Sequence, residues 1–232
     1  MKLSDYLLKP APKQNPIRAK RIYNTKLLVL GYKTFDIKNL AKDIINYNDI
    51  NNIELILNNC EFKIIEELFL YVIVISYLPF KLFYKYLFKI IPHIDSWAVT
   101  DMVTYHNYKK ELIELDEIIK KLLVNPNNFA KRTAFILRMK YYINDNYIDN
   151  IINEIISNEK TDDYYLMMVI AWLMQLIYLK YPEKITLLLF HKLSNKFIIR
   201  KTISKIYDSY KVSRDEKITL KDKLTLFLKG SL

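Results

Sequence analysis

Glycine is almost missing from this chain: its 232 residues contain two, Gly31 and Gly230. A β-rich or α/β protein of this length needs many more, for hairpins and for phosphate-binding loops. Helices joined by short turns fit better. Cysteine is scarcer still. The lone Cys60 excludes an intramolecular disulfide and any cysteine-based zinc site, and its solitude suits a reducing compartment, the cytoplasm. The three histidines, His93, His106 and His191, lie far apart with no HExxH-like spacing, so neither a metal nor another cofactor is expected. Long hydrophobic runs are absent too. The most apolar window, residues 68–80, ends at Pro79-Phe80 and falls short of the roughly 20 residues that span a bilayer. It reads as a buried core helix, and no membrane partner is expected. The opening Met1-Lys2-Leu3-Ser4-Asp5 carries no apolar stretch of signal-peptide kind, so export is not expected either.

What is present is a composition of 51% hydrophobic and 26% charged residues, that of an ordered globular protein with one sizeable core. A single domain over 1–232 is the expectation. The formal net charge of +11 points to a polyanionic partner or an anionic surface. The abundance of Ile, Asn, Lys and Tyr is also what AT-rich coding produces, so the lysine excess alone does not decide for nucleic acid. Residues 1–21 combine Pro10, Pro12 and Pro16 with Lys9, Lys13, Arg18, Lys20 and Arg21. After a first turn they read as a partly extended basic arm.

From residue 37 the chain is a succession of helical segments closed by local stop signals. Ile37–Asn46, Ile50–Asn58, Phe62–Leu78 and Phe80–Ile91 come first, with Pro79 and Pro92 as breakers. A helix capped by Asp95 or Ser96 runs to Asn107, followed by Lys109–Val124 and, after Asn125-Pro126, by Asn128–Ile143. Tyr147–Ser157, Asp162–Leu179, Pro182–Lys192, Lys196–Tyr210 and Asp215–Lys229 complete the series. Short helices of this kind cannot each bury an apolar face alone, so they must stack in antiparallel pairs. The expected fold is therefore an all-α superhelix, a solenoid of helix pairs in which the apolar segment Leu166–Leu179 is an inner helix. No clean repeat is visible, and an irregular helical bundle is the alternative.

Trp97 and Asp101 stand four residues apart, so on a helix they share a face. An indole attracts a cation and a neighbouring carboxylate stabilises positive charge, which makes the pair a usable site. A core tryptophan beside a salt-bridging aspartate has the same spacing. Trp172 lies in an apolar run and by default is core. Lys131 and Arg132 begin a helix, where a basic pair holds a phosphate or is simply solvated. On the helix after Asn195, Lys196 and Arg200 are four apart, as are Lys201 and Lys205, giving cationic stripes for DNA-backbone contact.

The order of these elements resembles the AlkD-type family of HEAT-like repeat DNA alkylation repair proteins. Ile94–Asp101 is similar to its IDNWxxxD segment and Phe129–Ala134 to its basic RRTA-like helix start. Asp163-Tyr164-Tyr165 through Ala171-Trp172, with Tyr181-Pro182-Glu183, looks like its YYV…AW…PE stretch. Asn195-Lys196 through Tyr210-Lys211-Val212 looks like its closing element. The stretch Gly31–Lys38 departs from the family's Gly-Val-Arg-x-Pro-x-Leu-Arg, lacking the proline and carrying Lys33 and Lys38 for both arginines, and Ala98 also departs. Such a chain is expected in a divergent subgroup.

The resemblance implies a solenoid that cradles duplex DNA and a monofunctional glycosylase that hydrolyses the N-glycosidic bond of N3- or N7-alkylated purines. By position, Trp97, Trp172 and Asp101 are the implied catalytic residues, and Arg132 the implied backbone contact, with Lys131, Lys196, Arg200, Lys201 and Lys205 as further DNA contacts. The chemistry is coherent, because the scissile bond breaks through an oxocarbenium-like sugar that a carboxylate stabilises. A monomer is expected. Two other readings stay open: a non-catalytic binder of damaged or branched DNA, and a helical scaffold for a protein partner.

Overall fold

A computed structural model describes residues 2–7 and 14–229. Among them are fourteen α-helices, two single-turn 3-10 segments and no strand, as the shortage of glycine predicts. An isolated bridge pairs Leu28 with Ile64. The chain gathers into two compact units, Met1–Thr133 and Ala134–Leu232, and the division falls inside one helix. Each unit has a largely apolar helix at its centre.

The first unit contains α1 (Leu3–Tyr6), α2 (Pro16–Tyr23), α3 (Thr34–Tyr47), α4 (Ile50–Asn58), α5 (Ile65–Ile75), α6 (Phe80–Ile90), α7 (Trp97–Met102), α8 (Leu112–Leu123) and the start of α9 (Asn128–Tyr141). The 3-10 turns lie at Ile91–His93 and Tyr108–Lys110. All of α5 is buried, and α1, α3, α6 and α7 pack on it. Its neighbours supply the spacing that such packing needs: Ile37, Ala41 and Ile44 on α3, and Phe83, Tyr86, Leu87 and Ile90 on α6.

Two charged residues at the head of α5 are buried as completely as its leucines. Each apolar side chain there contributes roughly 1.5–3 kcal/mol, and an unpartnered buried carboxylate would cancel that gain. Glu66 is instead fed by the amides of Leu30, Gly31 and Tyr32, the closest at 2.7 Å from Gly31. Glu67 accepts from the Phe62 amide at 2.8 Å. The two carboxylates thus tie two loops to the core. Gly31 is required where it stands: its φ is +86°, and a Cβ there would meet the Gln14 carbonyl oxygen at 2.5 Å.

Three expectations change here. Beyond the first turn, the region read as a partly extended arm is helical from residue 16, in α2. Asn15 accepts from the amides of Ile17 and Arg18, and Pro16 at the first helical position starts α2 rather than preventing it. Residues 8–13, with Pro10 and Pro12, lie outside the described residues. The helix expected to run to Asn107 ends at Met102, because Val103 and Tyr105 enter the core with the two-residue period of extended chain, and Tyr105 stacks on Phe83 at 4.6 Å. The helix expected from Phe62 starts at Ile65, since Phe62 has a φ of +54°.

The second unit holds the rest of α9 and then α10 (Ile148–Asn158), α11 (Tyr164–Tyr178), α12 (Pro182–His191), α13 (Lys196–Asp208) and α14 (Arg214–Leu228). α12 and α13 pack on α11, and α14 on α13, which gives Leu166–Leu179 the inner position that its apolar sequence predicts. Here too a buried glutamate ties a loop. Glu159 accepts from the amides of Ser194 and Asn195 and from the Ser194 hydroxyl, and Asn195 in turn caps α13.

Candidate functional site

α7 is a six-residue helix that packs on α5 and carries both Trp97 and Asp101. Ser96 caps it, accepting from the Ala98 amide at 3.3 Å. As the four-residue spacing requires, the indole and the carboxylate share a face. Trp97 is half-buried, and the Asp101 side chain keeps 22% of its surface in solvent.

Beneath the carboxylate lies Arg132, in the second turn of α9, which Asn127 caps through the Phe129 amide. Arg132 is 4% exposed, and its guanidinium donates from one terminal nitrogen to Asp101 Oδ1 at 2.7 Å and from Nε to Thr100 Oγ1 at 2.9 Å. The Thr100 hydroxyl in turn donates a hydrogen bond to the Trp97 carbonyl at 2.7 Å. Arg132, Thr100, Trp97 and Asp101 thus form one hydrogen-bonded unit, and the buried cation fixes the carboxylate at the surface. An arginine expected to hold the DNA backbone is found holding Asp101, because the site's depth leaves its head group surrounded by protein. Lys131 beside it is half-exposed.

The site is also fastened to α2. The last carbonyls of a helix have no intrahelical donor, and those of Ile22 and Tyr23 receive the Trp97 indole N–H at 3.1 Å and the Ser96 hydroxyl at 2.6 Å. Asp95 accepts from the Thr25 hydroxyl at 2.7 Å and the Lys26 amide at 2.8 Å. Three consecutive residues therefore hold the end of α2 and the turn after it. Sequence reasoning offered Asp95 or Ser96 as the cap and missed this second task, since the partners are 69 to 75 residues away.

In the second unit Trp172 is half-exposed, in line with Tyr165, Met168, Leu176 and Leu179, which are half-exposed as well. Their spacing of three and four traces one stripe along α11, so Trp172 is not the core residue its apolar surroundings suggest. α13 buries Ile198, Ile199, Thr202, Ile203 and Ile206. On its other half Lys196, Arg200 and Lys201 are exposed and Lys205 half-exposed. The Lys201 ammonium lies 5.7 Å from the Phe197 ring centre. The four cations that the sequence pairs at four-residue spacing thus share the open half of one helix.

Asp101, Trp97 and Arg132 stand together in one network, and Thr100 and Ile22, which the sequence did not single out, complete it. The stretch Gly31–Lys38 contributes structure, through the amides bound to Glu66, and the two exposed lysines Lys33 and Lys38. The signal for Glu66 was visible: a pair of glutamates heading the most apolar run in the chain.

Set against known families, residues 9–186 match the model of the family described as DNA alkylation repair enzyme. No curated protein matches the chain.

Proposed function

Because the chain belongs to the DNA alkylation repair enzyme family, whose role is DNA repair with DNA as substrate, we propose that it is a DNA glycosylase of the AlkD-type subgroup. Its substrates are N3- and N7-alkylated purines in duplex DNA, its fold the HEAT-like solenoid of that subgroup, and it works as a cytoplasmic monomer. The observation that carries this reading is the Asp101 carboxylate held at the surface by a buried arginine, one helical turn from an indole.

An alkylated purine bears a positive charge, and cleavage of its glycosidic bond moves that charge onto the sugar. Asp101 stabilises the developing oxocarbenium ion and positions the attacking water. Arg132 holds the carboxylate in place through the 2.7 Å hydrogen bond. The Trp97 face adds cation–π attraction to the same charge. Trp172, half-exposed on α11, gives the bound DNA a second aromatic contact. Lys131, Lys196, Arg200, Lys201 and Lys205 meet phosphates, so affinity falls steeply as salt rises.

The test is release of 7-methylguanine and 3-methyladenine from methylated duplex DNA, with duplex binding measured at two salt concentrations. Release that falls by about 10²–10³-fold in Asp101→Asn is expected, the loss typical when one transition-state stabiliser is removed. Salt-sensitive binding without release would instead make the protein a non-catalytic reader of damaged or branched DNA, a reading the exposed cations of α13 favour equally. Neither binding nor release would leave a scaffold for a protein partner.

A further inference from the structure

Fixing an indole beside a carboxylate takes more than the helix that carries both. α7 has six residues, too few to hold its own geometry. Its backbone is braced from below by Arg132 and Thr100, but the Trp97 ring reaches outward, and its N–H has a defined acceptor, the Ile22 carbonyl. That carbonyl is where it is because the turn after α2 is held. Tyr23 sets its ring edge-on against Phe69 of α5 at 5.4 Å, Asn24 closes the helix in the left-handed conformation at φ 49°, and Thr25 is buried. Thr25 and Lys26 are both bound by one side chain, with Thr25 Oγ1 donating to Asp95 Oδ1 and the Lys26 amide to Asp95 Oδ2.

We propose that Asp95 is a positioning residue for Trp97. By clasping Thr25 and Lys26 with both carboxylate oxygens it sets the Ile22 carbonyl, and the carbonyl sets the indole ring. Asp95 gives both carboxylate oxygens to Thr25 and Lys26 and so acts on the ring only through them. The catalytic consequence rests on the glycosylase reading; the effect on the ring does not. An asparagine at the same place keeps the clasp, since its oxygen accepts from the Lys26 amide and its amide group donates to the Thr25 hydroxyl. Alanine keeps neither bond.

The experiment reads the ring directly. In a Trp172→Phe background Trp97 is the sole tryptophan, and its emission and acrylamide quenching report how firmly it is seated. Added Asp95→Ala is expected to red-shift the emission and raise the quenching constant at temperatures well below unfolding, while added Asp95→Asn leaves both unchanged. Thr25→Val, which removes one half of the clasp, should give part of the same shift and add little on top of Asp95→Ala. In the chain with both tryptophans, Asp95→Ala should lower the single-turnover rate of base release by on the order of 10-fold or more, as misplacement of a catalytic group does, with the duplex Kd held within about twofold, a change of under 1 kcal/mol.

Unchanged emission and quenching in Asp95→Ala would overturn the proposal whatever the enzyme does. If the parent chain releases no base while the ring still loosens, the glycosylase reading fails and the positioning role stands. If Asp95→Asn loosens the ring as much as alanine does, the clasp is not what holds it.

Discussion

Two arginines six residues apart on α9 are both buried, and each pairs with a carboxylate of its own unit. Arg132 holds Asp101, whose side chain is 22% exposed, and Arg138 holds Glu154, which is 16% exposed. By burial and distance the pairs are alike. What differs is what shares the carboxylate's surroundings. Arg138 lies with its guanidinium carbon 4.8 Å from the Tyr142 ring centre and meets Glu154 through Nε at 2.8 Å and through a second nitrogen, a fork that joins α9 to α10. Arg132 divides its donors between Asp101 and Thr100, on a helix whose preceding turn presents an indole and is fastened to α2. One pair joins helices, whereas the other aims a carboxylate. A buried ion pair is therefore no sign of a site until something reactive stands beside it.

The comparison breaks most sharply at Arg138. Replacing it with methionine removes the cation from a buried pair, and urea titration should show a loss of about 3–5 kcal/mol, with base release per folded molecule unaltered. If release fell as well, the Arg138 pair would belong to the site and the distinction would collapse.

The matched neutral variants sharpen it further. Glu154→Gln keeps an acceptor but loses the charge, so about 1–3 kcal/mol of stability should go and activity should stay. Asp101→Asn should show a stability cost of the same order, together with the loss of base release already described. Equal behaviour of the two variants in a release assay would sink the division of labour drawn between them.

A smaller effect concerns Glu67, a carboxylate that is fully buried without an arginine. Burial pushes the Glu67 carboxyl above its usual range, against the lowering pull of the backbone amides it accepts from. A raised carboxyl favours the folded state while protonated. Its contribution is thus complete below the ordinary glutamate value of about 4.3 and is lost as pH rises through the raised value. Relative to Glu67→Gln, which cannot ionise, the native chain should lose stability over that rise. Parallel stability curves for the two proteins would show that the amides of Glu61 and Phe62 compensate the burial fully.

Much of the fold was legible because helices are local. Leu166–Leu179 announced an inner helix by being apolar on every side, and Pro79, Pro92 and Asn125-Pro126 marked ends that the structure respects. α7 was misjudged at its far end, since Val103 and Tyr105 carry no stop signal; they leave the helix because the core around Phe83 accepts them in extended chain. The arm was misjudged at Pro16, a residue that begins a helix as readily as it breaks one. Of the site, the face shared by Trp97 and Asp101 follows from a spacing of four. That Arg132 lies beneath Asp101 follows from nothing in the spacing of 31 residues between them.

The sequence by itself determined the helical class, the interior place of α5 and α11, and the common face of Trp97 and Asp101. These depend on periodicity and on residue chemistry, which neighbours along the chain already carry. Only the tertiary structure decided that Arg132 is a brace rather than a surface cation, that Trp172 stands half-open, and that Asp95, Ser96 and Trp97 clasp the end of α2. Each of these is a contact between segments far apart in the chain, and the free energy that selects it comes from burying them together, which no local pattern records.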